Sequence, residues 1–257
     1  MKRLILAIVL LTSGSVLFAF TPPDKEFYEI RIYQFTTSEQ EQTIDKFLEK
    51  ALLPALHGSQ IKAGIFKPVT NDTAIVKKIY VLIPFKSPAQ AIDISDKLLF
   101  DKKFLEAGKG YLDAPYDKPP YARYETIFLR AFPDQPVMSV PSLNGPKNER
   151  IYELRSYEGP TEKQYRNKVD MFNAGGEVSL FKRLGFNAVF YADVIYGSHM
   201  PNLMYMTSFD NIESRNTHWK SFSNDAEWKQ LSSMEKYKNN VSHIDITLMH
   251  PTDYSDF

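Results

Sequence analysis

Cysteine is absent from the 257 residues. That excludes disulfides, thiolate metal ligands, a cysteine nucleophile and a lipidated N-terminal cysteine together. An excess of either charge is also missing, because 31 Lys and Arg balance 31 Asp and Glu. Without a basic field to neutralise phosphates, nucleic acid is not an expected partner. The chain also lacks a glycine-rich phosphate loop, a nucleophile elbow and a paired-acid motif. Tryptophan occurs only at Trp219 and Trp228. What is plentiful is core material: 43% hydrophobic residues, with 14% aromatic, decide against global disorder.

One long apolar run exists, Leu4 to Phe20. It follows the basic Met1-Lys2-Arg3 and gives way to Thr21-Pro22-Pro23-Asp24. This is the layout of a secretory signal peptide over residues 1–20, with cleavage near Ala19. The expected destination is the periplasm or the exterior, with no stable membrane span after cleavage. An uncleaved N-terminal anchor is the alternative, although the run is short for a span and polar in its middle.

The organising feature is a duplication. Tyr28-Glu29-Ile30-Arg31-Ile32-Tyr33 returns 124 residues later as Tyr152-Glu153-Leu154-Arg155-Ser156-Tyr157. The same offset relates Phe85 to Phe209, and Asp101-x-x-Phe104 to Asp225-x-x-Trp228. Each copy reads as strand, helix, strand, strand, helix, strand, the order of a ferredoxin-like unit. In the first copy the strands fall near 28–34, 61–69, 74–85 and 123–132. Ser38-x-x-Glu41 is expected to cap its first helix, which Pro54 limits; Ser87-Pro88-x-Gln90 caps the second. In the second copy the strands fall near 150–157, 186–196, 203–209 and 241–249. Helices there start after Thr161-x-x-Gln164 and Asp210-x-x-Glu213. The units span 27–131 and 150–250, and the proline-rich stretch 132–149 links them. The fold class is therefore α+β.

Tandem copies opening on Tyr-Glu-(Ile/Leu)-Arg-x-Tyr resemble the NIPSNAP family. The second copy's Arg215-x-x-x-Trp219-x-x-Phe222-x-x-Asp225-x-x-Trp228 is similar to that family's late helical motif. The resemblance implies a dimeric α/β barrel, in which two antiparallel ferredoxin-like sheets face each other as a pseudo-dimer. The superfamily it implies includes monooxygenases, some of them haem-degrading, and isomerases, while much of the family has no assigned reaction. Haem is thus an alternative to the expectation of no cofactor.

Alternation along a strand decides which side chains share a face. Glu29, Arg31 and Tyr33 share one face, and Glu153, Arg155 and Tyr157 repeat it. The apolar faces are expected under the helices, which would aim both polar triplets into the space between the sheets. There they form a candidate site for a small polar or anionic ligand, with arginine as the carboxylate anchor. The competing account is that each Glu and Arg satisfy each other. Arg215 interrupts an apolar helical stripe beside Trp219, which adds both to the candidate lining. Candidate acid–base groups are His243 and Asp245, two apart on the last strand, and His218. The histidine spacings match no metal motif, so no metal is expected. Three functions stay open: a small-molecule-binding module, an enzyme of the dimeric α/β-barrel type, and a non-catalytic module for a protein or carbohydrate partner. Homo-oligomers are compatible with each.

Overall fold

The computed structural model describes residues 24–69 and 74–257. The signal-peptide expectation lies outside them. The first repeat comprises β1 (Phe27–Phe35), α1 (Ser38–Phe47), a π-helical segment (Leu48–Leu52), α2 (Leu53–Gly58), β2 (Gly64–Pro68) and β3 (Lys77–Phe85). It continues through α3 (Pro88–Leu98), α4 (Lys102–Ala107), α5 (Lys109–Leu112) and β4 (Arg123–Ala131). The second comprises β5 (Ile151–Glu158), α6 (Glu162–Phe172), α7 (Glu177–Arg183), β6 (Asn187–Tyr196) and β7 (Asn202–Phe209). It ends with α8 (Ile212–Asn224), α9 (Ala226–Ser233) and β8 (His243–Pro251). Among the described residues, no helix is long and apolar enough to cross a membrane.

The halves pack within one chain, and they do not remain two facing sheets. Among the described residues, eight strands close into a barrel in the order β1-β3-β2-β8-β5-β7-β6-β4. The central pairings repeat in register: Glu29 lies opposite Ile83, and Glu153 opposite Thr207. Closure comes from the outer strands. Phe66 on β2 pairs with Pro251 on β8, and Leu129 on β4 pairs with Val194 on β6. Each half would otherwise expose two rows of unpaired backbone N–H and C=O groups, and pairing across the halves satisfies both.

The barrel interior is apolar. Tyr28, Ile30 and Ile32 point inward, where Leu82, Leu129, Leu154, Phe190 and Met206 join them. Phe66, Tyr152 and Phe257 pack ring against ring across one end, tilted or edge to face. Tyr33 belongs instead to the layer between sheet and helices, with Ile44, Phe47 and Leu48. The expected orientation of the duplicated strand is thus inverted: the Glu-Arg-Tyr faces lie under the helices. The packed middle of the barrel gives a charge neither water nor partners, whereas the layer under the helices supplies partners.

Local helix signals need small corrections. Thr37, not Ser38, caps α1, accepting a hydrogen bond from the Gln40 amide at 3.2 Å. Asn211, not Asp210, caps α8, and Asp210 instead accepts from the Asn144 and Gly145 amides. Pro54 does not end the helical run. It falls in the first turn of α2, just after the π-helical segment, a register change that accommodates a residue with no N–H to give. Ser87 and Thr161 cap α3 and α6 as expected. Replacing Thr161 by alanine is expected to cost about 1 kcal/mol. Urea unfolding should show a lowered midpoint for that variant and an unchanged one for Ser38→Ala.

Candidate functional site

The second repeat holds a pocket of about 450 Å³ between the outer face of its sheet and the helices α6 to α9. Strand alternation delivers Arg155 and Tyr157 from β5. One face of α8 delivers Arg215, Trp219 and Phe222, and α6 supplies Lys168. Beneath them Glu153 is fully buried, at 0% exposure. It accepts from Arg155 Nε at 2.6 Å, from Arg215 Nε at 2.7 Å and Arg215 Nη2 at 3.1 Å, and from Trp219 Nε1 at 2.8 Å. Arg155 Cζ sits over the Trp219 indole, 3.6 Å from its centre, in cation–π contact. Its Nη1 also donates to the Tyr157 hydroxyl at 3.1 Å, which bonds the Tyr205 hydroxyl at 2.9 Å.

Burial works to raise the Glu153 pKa, but the Arg215 hydrogen bonds and the two guanidinium charges outweigh it and hold the carboxyl below its ordinary value. Burial pushes the Tyr205 hydroxyl far above its ordinary value, so it stays protonated. Lys168 pairs with Glu177 at 2.8 Å, both buried. The charges do not cancel. Glu177 answers Lys168, and a single carboxylate, Glu153, answers two guanidiniums. One positive charge is left over in a pocket walled by Phe181, Trp219, Phe222 and Trp228.

The first repeat has the same triplet without the pocket. Arg31 donates to Glu29 at 2.8 Å and to the Tyr33 hydroxyl at 3.3 Å, a one-to-one ion pair. The rings of Tyr111, Tyr121 and Tyr124 crowd Tyr33. At the offset of 124 residues, Ile44 stands where Lys168 does, Ala91 for Arg215 and Ser95 for Trp219. Of the eight expected lining residues, the fold therefore gathers Arg155, Tyr157, Arg215 and Trp219 around one pocket, with Glu153 beneath them. Glu29, Arg31 and Tyr33 lie under the helices of the other half. The sequence reading missed Lys168 and Glu177. Comparing the copies would have flagged Lys168, a charge where its counterpart Ile44 is core.

The acid–base candidates lie elsewhere. His218 is spent on its own helix, Nδ1 standing 2.7 Å from the Ser214 carbonyl, with its ring against Phe186 and Phe209. His243 and Asp245 stand 3.2 Å apart on the barrel-interior face of β8, whereas Ile244 between them lines the pocket on the other face. They belong to the mouth of the barrel, which opens into a second cavity of about 330 Å³. That cavity is the space between the halves expected to hold the triplets. It is lined instead by Ile32, Tyr80, Glu125, Ser156, Asn202 and Asp245, among others.

Residues 152–256 match the NIPSNAP family model. No curated protein matches the chain. Solved structures share its fold across 89% of its length. A candidate monooxygenase from Fusobacterium nucleatum subsp. nucleatum ATCC 25586 aligns with TM-score 0.58 and 6% identity over 93% of that chain. A candidate monooxygenase from Lactobacillus acidophilus NCFM aligns with TM-score 0.52 and 12% identity over 94% of that chain. An anthrone oxidase-like protein aligns with TM-score 0.54 and 10% identity over 92% of that chain. At these identities the likeness is one of fold.

Proposed function

We propose that this chain, whose second repeat is a NIPSNAP domain, binds a small anionic molecule with a flat or aromatic body in the pocket beneath α8. The observation that carries the reading is the uneven charge count: Glu153 neutralises one of the two guanidiniums that reach it. A carboxylate entering beside Arg215 would complete the pairing, and burial makes such a charge-assisted bond stronger than at the surface. Ring faces on the pocket wall supply the apolar part of the contact, and the Tyr157 hydroxyl supplies a polar one. The first repeat, with a matched ion pair and no such wall, acts as a structural counterpart.

The two tryptophans of the chain both line this pocket, so their fluorescence reports its occupancy. Titration with benzoate and phenylacetate should change the emission at concentrations where benzyl alcohol does not. Arg215→Ala removes the surplus charge and leaves the Glu153–Arg155 pair. It should weaken carboxylate binding by about 10- to 100-fold, the worth of a hydrogen bond to a charged group. Equal responses to acid and alcohol, or an unchanged affinity in the variant, would rule the reading out. Two fold neighbours are named as candidate monooxygenases, and an aromatic substrate for an oxidation would fit the same pocket.

A further inference from the structure

The barrel mouth carries polar groups that the pocket beneath α8 does not use. At the end of β5, Glu158 lies directly opposite His243 on β8, and Ser156 opposite Asp245. On its other side Glu158 faces Asn202 of β7. Cross-strand partners project to the same side of a sheet, so all five side chains meet on the barrel-interior face. One nitrogen or oxygen each from Glu158, His243 and Asp245 lies within 4.8 Å of the other two. His199, in the turn between β6 and β7, brings its Nδ1 to 2.9 Å from Glu158 Oε1.

Two acceptors in this group make no hydrogen bond. Glu158 Oε1 is buried without one, and its contact with His199 Nδ1 at 2.9 Å is an ion-pair contact only. Asn202 is 2% exposed, and its amide nitrogen is spent on Ser156 Oγ at 2.8 Å. Its Oδ1 is left buried with no partner. A buried acceptor with nothing to accept from is unfavourable, and a bound cation would relieve it. Two such acceptors in cross-strand register, beside His243 and the Asp245 carboxylate, describe a place fitted to accept a cation.

We propose that Glu158, His243 and Asp245 bind a divalent transition-metal ion at the barrel mouth, with Asn202 Oδ1 beside it and His199 holding Glu158 in place. One imidazole and two carboxylates form a mixed nitrogen–oxygen set suited to Zn²⁺, Mn²⁺ or Fe²⁺. Neighbouring donors around such ions stand about 3.0–3.4 Å apart when the bonds are near 2.1 Å. His243 Nε2 and Asp245 Oδ1 are already 3.2 Å apart, and Glu158 must close by only a fraction of its side-chain reach. His243 and Asp245 are each 57% exposed, which leaves coordination positions to water or to a ligand in the adjoining 330 Å³ cavity. The site is independent of the pocket beneath α8, since the two use opposite faces of β8.

Co²⁺ tests the assignment through its visible absorption, with Zn²⁺ as competitor, on the full chain after chelator treatment. The wild type should take up one Co²⁺ per chain and release it to Zn²⁺. His243→Ala and Glu158→Gln should each weaken uptake at least tenfold, on the order of what loss of a supporting group costs metal sites. Asp245→Asn, at an exposed position, should do the same and stands in for either of those if it fails to fold. His57→Ala removes the histidine of the distant His57–Asp256 pair and should leave uptake unchanged. The proposal is overturned by a wild type that takes up no stoichiometric ion. It is equally overturned if the site variants match the wild type, or if His57→Ala abolishes uptake.

Discussion

Replacing Glu153 by alanine is expected to destabilise the protein by about 3–5 kcal/mol, the cost of leaving buried charge without its partner. Glu153 is the hub of the second repeat's polar layer. Arg155, Arg215 and the Trp219 indole all donate to it, and its side chain sees no solvent. Without it, two guanidiniums stand close together in a partly dry layer, with like charges opposed and their donors unpaired. Glu29→Ala is the internal control. It strips one guanidinium only, and Arg31 is 22% exposed at its side chain, so the loss there should be distinctly smaller. Urea unfolding of both variants measures the difference, and equal losses would show that the second arginine adds nothing to the role of Glu153. Acidification gives a second view. Because the folded carboxyl titrates below its ordinary value of 4.5, its contribution is present above that pH and fades as pH falls through the folded value. Between pH 4.5 and the acid unfolding limit, Glu153→Gln should therefore lose less stability than the wild type.

Phe181→Ala should cost a comparable amount, about 3–5 kcal/mol. The ring, 1% exposed, sits at the centre of the aromatic layer that forms the pocket wall. Its centroid lies 4.8 Å from Phe186, 4.8 Å from Phe222, 5.8 Å from Trp219 and 5.8 Å from Tyr205. Removing it opens a void against rings packed edge to face (Phe186, Trp219), stacked (Phe222) and tilted (Tyr205), which cannot collapse into it without losing contacts elsewhere. Stability and pocket geometry should thus fail together. Trp219 should become wetter, with its emission shifted to the red, and carboxylate binding should weaken even in the fraction that stays folded. A variant that loses less than about 1.5 kcal/mol, with tryptophan emission unmoved, would mean that the wall is not held from this ring.

The repeat, its 124-residue offset, the β-α-β-β-α-β order and several helix caps were legible along the chain, because each rests on near-neighbour chemistry. Strand alternation needs only a period of two, and a cap needs only a hydroxyl or carboxylate a few residues before the first apolar turn. So Glu29, Arg31 and Tyr33 do share a face, and so do Glu153, Arg155 and Tyr157. The same reasoning stopped one step short. Alternation says which side chains travel together, not which side of the sheet meets the helices, and here the inference ran the wrong way. Tyr28, Ile30 and Ile32 are as apolar as a helix-facing row, yet they fill the interior of the barrel, where charged groups are confined to the mouth.

Three further features depend on contacts between residues far apart in the chain. Closure of the barrel requires β2 to meet β8 and β4 to meet β6, pairings that no local pattern encodes. The excess charge beneath α8 exists only because Arg215 reaches a carboxylate 62 positions earlier. The group of Glu158, His199, Asn202, His243 and Asp245 is scattered over three strands and a turn, with no spacing that resembles a ligand motif. By itself the sequence determined the repeat, its strands and main helices and which residues share a strand's face, since those follow from local geometry. Neither α7 nor the π-helical segment was among them. Only the tertiary structure decided where each face points and which distant charges meet there, since burial and pairing are properties of the closed barrel.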